Sequence, residues 1–409
     1  MADTQITEKL SFQTDIIQSY SGKEQRIKVR QYPRKFYTYN YDAMDKFQAQ
    51  WLRAILRIPQ NEIYYIPMWQ DVIHLSEDYY NGSALYVEEE TMYNLYGCDM
   101  IEVFKHDDMM AGNVNVVRQV KRYSNGIIAL VKRVGQNLNY KNTNIFPLKP
   151  CRVQSPFELN YVYSNGTSTS ANFEEIMEKP TVNIPYNYIS DYQEDEYFNR
   201  HNLPQYFNNR EILTYTPQWI DDDSVSLSIN KNVERLDNGT GIVQFDMLNT
   251  KSYDTHTMNL YLMSRKMINN CKRFFYRVCG RYKSFYAPTW VNDIELYGDI
   301  IKGDIYFMSE FVFSSYYKNN TRIKNIVVFT RDMQSYIYTI SRYENKTIDN
   351  KTYSKIYLTE ALRESIKHDD VLMISYLNLV RLDSDDLELN YETDGCCQVT
   401  LSMKEVDDT

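Results

Sequence analysis

Five histidines, six cysteines and 54 carboxylates are the side chains with which this 409-residue chain could do chemistry. Their spacing singles out no reaction. His74, His106, His201, His256 and His368 are scattered, and two of them sit in similar settings, His106-Asp107-Asp108 and His368-Asp369-Asp370. A metal site needs several ligands converging in space. Neighbouring aspartates in a strand point to opposite faces, so these doublets, and Asp221-Asp222-Asp223, read as turns or solvated loops. Cys98, Cys151, Cys271, Cys279, Cys396 and Cys397 contain no Cys-x-x-Cys pair and no histidine at zinc-finger spacing, the pattern of reduced core or surface thiols. No nucleophile elbow, glycine-rich phosphate loop or His-Glu-x-x-His is present. A carboxylate pair straddling a sugar, as in a glycosidase, is not marked out by position. The expectation is a chain without catalytic, cofactor-binding or metal-binding residues.

Two tryptophans carry more information. Tyr65-Ile66-Pro67-Met68-Trp69-Gln70-Asp71 returns as Tyr286-Ala287-Pro288-Thr289-Trp290-Val291-Asn292-Asp293. Exposed Trp and Tyr can stack a sugar, but equivalent tryptophans in a duplicated scaffold serve more often as packing anchors. Pro67, Trp69 and Asp71, with Pro288, Trp290 and Asp293, are therefore read as structural anchors of an internal repeat.

The elements around them repeat in the same order. Phe36 to Tyr41 alternates as a half-buried strand. Asp42 caps a helix from Ala43 with Met44, Phe47, Trp51, Leu52, Ile55 and Leu56 on one face, ended by Pro59. Ile63 to Ile66 then leads into the first anchor segment. In the second copy Thr257 to Met263 is the aromatic strand. Ser264 caps a helix carrying Met267, Ile268, Cys271, Phe274, Phe275 and Val278, and Gly280 closes it. Further along, Ile326 to Phe329 answers residues 101–104, Tyr338 to Tyr343 answers Gln119 to Tyr123, and Val380-Arg381-Leu382 answers Cys151-Arg152-Val153. The fold class expected is mainly β with α: β-barrel or β-sandwich modules, each with a packed helix. The N-terminal module spans 1–154, and a connecting arm, with a short helix near Phe173 to Met177, spans 155–211. The related C-terminal module spans 212–409.

Bulk properties narrow the classes. The chain is 43% hydrophobic and 24% charged, enough to fill real cores, and its length suits two or three domains. Its 38 tyrosines suit strands and protein interfaces alike. A net charge of −9 argues against specific nucleic-acid binding, which needs a basic face. The basic stretches Lys23–Lys35 and Arg273–Lys283, taken as corresponding parts of the two copies, read as element ends and subunit contacts. No window of ~18 apolar residues occurs, so no membrane insertion is expected. The N-terminal residues lack a secretory pattern, which places synthesis and folding in a cytoplasm.

Several stretches together resemble tail proteins of tailed bacteriophages. They are Phe12-Gln13-Thr14-Asp15-Ile16 with Lys23-Glu24-Gln25-Arg26 and Arg30-Gln31-Tyr32-Pro33-Arg34; the two aromatic-Pro-x-Trp segments; Leu236-Asp237-Asn238-Gly239-Thr240-Gly241; and Arg381-Leu382-Asp383 with Leu387-Glu388-Leu389 and Thr393-Asp394-Gly395. The resemblance is to the distal-tail-like, minor tail or tail-tip family and spans most of the chain. It departs from compact members in its duplication and long middle arm. It implies a β-barrel or sandwich core and a virion location, assembled in the host cytoplasm. It also implies partners among tube, hub, fibre or adaptor proteins, and a homo-oligomeric ring, a hexamer ahead of a trimer. Host-surface glycan binding is the alternative.

Overall fold

The computed structural model describes residues 4–407 except 20–22, 45, 58–62, 89–94, 96–97, 106–114, 125, 155–156, 164–165, 177–205, 219–224, 231–232, 238, 240, 248–252, 311–323 and 333. His106, His201, the Asp107-Asp108 doublet, Asp221 to Asp223, Pro59 and Met177 lie outside the described residues. The protein is mainly β: the described residues form antiparallel strands and two α-helices, α1 (Lys46–Leu56) and α2 (Arg265–Val278).

The repeat is visible in strand register. The strand Arg34–Met44 pairs with Gly166–Glu175, setting Tyr39 opposite Ala171. Tyr253–Leu262 pairs with Cys397–Glu405, setting Met258 opposite Leu401. The strand Tyr64–Pro67 following α1 places Pro67 opposite Leu148, and Phe285–Pro288 following α2 places Pro288 opposite Leu377. Small distal lobes repeat too. The cross-strand pairs Tyr79–Leu138, Leu85–Ile128 and Val103–Ile145 of the first copy recur as Ile300–Ile366, Phe307–Ile356 and Val328–Ile374. Even a bulge is copied, between Val120 and Arg122 in one and between Ile340 and Arg342 in the other. Bulges re-aim a strand and are seldom accidental, so a shared one ties the two lobes closely.

Each copy thus has one core in its main sheet and another in its lobe; the lobe core is the smaller of the two in the second copy and the larger in the first. α2 is held as its sequence demands. Ser264 Oγ accepts from Met267 N at 3.2 Å, and Ile268, Cys271, Phe274, Phe275 and Val278 are buried on one face. Cys279 at φ 56° and Gly280 at φ 61° turn the chain out of the helix. A Cβ on Gly280 would lie 2.5 Å from Asp385 Oδ1, so glycine is required there on two counts.

Five readings need correction. Asp42 and Ala43 belong to the strand Arg34–Met44 rather than to a helix start, since α1 begins at Lys46. Phe173 to Glu175 belong to a strand, not to a short helix: Thr169, Ala171 and Phe173 are buried alternately, which is period-two packing. That strand and Leu159–Tyr163, both inside 155–211, pair with the first copy's sheet. Phe47, assigned to the packed face of α1, is 79% exposed, while Ala49 is buried. Finally, Lys23–Lys35 and Arg273–Lys283 do not correspond. The first includes the hairpin strand Glu24–Lys28 before an aromatic strand, the second the end of a helix. The counterpart of the N-terminal hairpin is the pair Val233–Leu236 and Gln244–Met247.

Candidate functional site

One sheet runs from the first copy into the second. Thr4–Ser11 pairs on one side with Arg34–Met44 of its own module and on the other with Asp386–Tyr391 of the second. Ile6 packs against the main-sheet cores of both modules. Several of the buried charges among the described residues collect at this junction.

At its centre Glu8 Oε2 accepts from Lys272 Nζ at 2.5 Å and from the Tyr391 hydroxyl at 2.8 Å. Burial pushes the Glu8 carboxyl up, but the ammonium charges of Lys272 and Lys149 and the two hydrogen bonds outweigh it and hold it below its ordinary range. Arg265, at the start of α2, lies 3.2 Å from Asp71 across the same seam. A second cluster sits just inside the first module. Glu175 accepts from Tyr37 at 2.7 Å, with Lys149 at 3.6 Å and Lys35 at 3.5 Å. Burial opposes ionisation of Glu175, yet the two lysines bring it down to about 2.

The N-terminal hairpin, Thr14–Gln18 with Glu24–Lys28, clasps the second module from the side. Arg381 makes a two-toothed pair with Glu24 at 2.7 and 3.0 Å. Asp385 accepts from Thr14 N at 2.7 Å and Arg281 N at 2.9 Å. Arg26 donates to Tyr282 O at 3.2 Å, so the two basic stretches meet each other.

Buried, mutually paired charges of this kind contribute little net stability over an apolar seam, but removing one partner is strongly destabilising because it strands the other. Here the pairs bridge the modules, Glu8 to Lys272 and Asp71 to Arg265. The buried carboxylates Glu8, Asp71 and Glu175 each face a lysine or arginine at ion-pair distance. Among the described residues no three His, Cys, Asp or Glu side chains are grouped to hold a metal ion, and no helix is long and apolar enough to cross a membrane.

The anchor residues divide. Pro67 and Pro288 match in register, and Met68 N and Thr289 N donate to Pro147 O at 2.9 Å and Tyr376 O at 3.0 Å, equivalent positions. Beyond them the copies diverge. Trp69 opens a 3-10 turn and leans half-buried on Phe146 at 4.5 Å. Trp290 has a left-handed backbone, φ 58°, is 3% exposed and stacks on Phe329 at 4.9 Å. Because Ile73 and Ile294 meet the matching residues Ile145 and Ile374, the residue equivalent to Asp71 is Asn292. Asp293 instead accepts from Tyr376 N at 2.8 Å and from Thr289 Oγ1. Asp71 thus serves the junction and Asp293 its own turn.

No protein-family model matches the chain, and no curated protein sequence matches it. The seam charges Glu8, Lys272, Lys149 and Glu175 were not singled out by sequence reasoning. Their one advance signal is a charged residue on the apolar face of an alternating strand, Glu8 between Ile6 and Leu10 or Lys149 between Pro147 and Cys151.

Proposed function

We infer that the chain is a structural subunit of a tailed-bacteriophage tail: a component of a ring, collar or sheath at the tail or tail tip. It joins tail components through protein–protein contacts. The observation that carries this reading is the module junction, where one sheet continues from copy to copy and buried ion pairs fix the orientation. A part whose buried charges hold two like modules in one orientation is suited to geometry rather than turnover. The resemblance of the Phe12–Ile16, Lys23–Arg26 and Arg381–Asp383 stretches to distal-tail-like and tail-tip proteins supplies the setting. Closed cyclic symmetry is the economical way to build such a part, and six chains per ring rank ahead of three. Tube, hub, fibre or adaptor proteins are the partners proposed. Glycan binding through the repeat tryptophans has less support, because Trp290 is inside a core. Mass photometry of the purified protein is expected to show a discrete multimer. A strictly monomeric chain that is also absent from virions contradicts the reading.

A further inference from the structure

The internal junction uses one edge of each module, and each module has a second, equivalent edge left over. In the first module Thr4–Ser11 flanks Arg34–Met44; in the second Val225–Asn230 flanks Tyr253–Leu262 in the same register, Ile6 matching Val225, Glu8 matching Leu227 and Leu10 matching Ile229. Likewise Asp386–Tyr391 flanks Cys397–Glu405 as Leu159–Tyr163 flanks Gly166–Glu175, Leu389 matching Leu159 and Tyr391 matching Tyr161. Inside the chain the first edge of the N-terminal module is bonded to the second edge of the C-terminal module. Among the described residues, Val225–Asn230 and Leu159–Tyr163 each have a strand on one side only.

The residues on these open edges are those of a buried junction. Tyr391 is 2% exposed and Tyr161 56%; Leu10 is 1% exposed and Ile229 64%. Arg53 on α1 donates to the Tyr161 hydroxyl at 3.4 Å, as Lys272 on α2 lies over the Tyr391 ring at 5.7 Å. The hairpin that matches the clasp carries Leu236 and Phe245 in the open. An exposed, apolar strand edge is a template for pairing that folded proteins ordinarily blunt with charge or proline.

We propose that these two edges mate between copies of this chain: Val225–Asn230 of one adds antiparallel to Leu159–Tyr163 of the next, reproducing the internal junction. The occupant follows from continuity, since the same two edge types already meet once within the molecule. Carrying the internal register across, with Ile6 opposite Tyr391, Glu8 opposite Leu389 and Leu10 opposite Leu387, sets Val225 opposite Tyr161, Leu227 opposite Leu159 and Ile229 opposite Phe157. All three pairs are apolar. Glu8, the buried charge in this strand of the internal seam, is replaced by Leu227. Such a contact is head-to-tail, so it closes into a ring when the rotations sum to a full turn. It rests on the ring reading above and specifies its interface.

Directly opposed residues in an antiparallel pair have Cα atoms about 4.5–5.5 Å apart, within disulfide range. Leu227→Cys and Leu159→Cys in one chain are expected to give, under mild oxidation, a reducible ladder of covalent multimers. An equimolar mixture of the two single variants is expected to stop at a dimer, with the unaltered chain as control for the native thiols. Ile229→Lys, with its circular dichroism unchanged, is expected to shift sedimentation of the chain to monomer. A multimer in sedimentation without the 159–227 disulfide overturns this interface while leaving a ring in place. A folded chain that stays monomeric at every concentration overturns both.

Discussion

Glu8 and Lys272 form the contact on which the seam turns. Glu8→Gln strands a buried ammonium, and breaking one side of such a pair costs about 3–5 kcal/mol. Denaturant unfolding is expected to show that loss. The double change Glu8→Leu with Lys272→Met is expected to recover most of it, because an apolar pair of similar volume serves the same space. The tryptophans separate by burial in the same assay. Trp290→Ala is expected to cost about 3–5 kcal/mol as a large-to-small core change, and Trp69→Ala clearly less, since Trp69 is half-buried. Equal losses at the two sites would contradict their different environments. His256 lies where the first copy has Tyr37, and burial alone pulls its imidazole down to about 4. A depressed histidine costs stability as pH falls from its ordinary value near 6.5 towards 4, because the unfolded chain takes up the proton first. His256→Leu is expected to flatten the stability–pH curve in that window, and an unchanged slope would count against burial as its cause.

At the scale of elements, the first module is tied by Glu175, whose folded value of about 2 lies below the ordinary carboxylate range. Its contribution is present above about pH 4.5 and fades as pH drops towards 2. Glu175→Gln is expected to weaken the protein at neutral pH and to remove that low-pH part of the acid transition. How far such elements were legible depends on locality. α2 announced itself through Ser264, the apolar positions from Ile268 to Val278 and Gly280, all within one stretch of chain. Phe173 to Glu175 misled because Glu-Glu next to Ile and Met favours helix locally, whereas pairing with Tyr37 and Val153, far away in sequence, makes it a strand. The repeat was legible from aromatic-Pro-x-Trp, but its finer match was not. Asp71 and Asp293 look alike in sequence, but Asp71 lies four residues past Pro67 and Asp293 five past Pro288, and the partners of Ile73 and Ile294 show that this one-residue offset holds in space. The seam charges stayed hidden for the same reason: Glu8 and Lys272 are 264 residues apart.

At the scale of the molecule, 22 strands among the described residues form one hydrogen-bonded network through both modules, so the pair is expected to unfold in a single transition rather than as two domains. The junction, not either module alone, is the unit that a tail would repeat around its axis. With two modules per chain and matching junctions, a ring of n chains presents twice n module positions, and the rotation at one junction decides n. The central claim is that this chain builds such a ring in a virion. An electron-microscopy reconstruction of the parent phage particle tests it most directly. The account predicts a closed ring of this chain on the tail axis, with Val225–Asn230 of each subunit against Leu159–Tyr163 of its neighbour. A complete tail reconstruction with no density for this fold would contradict it.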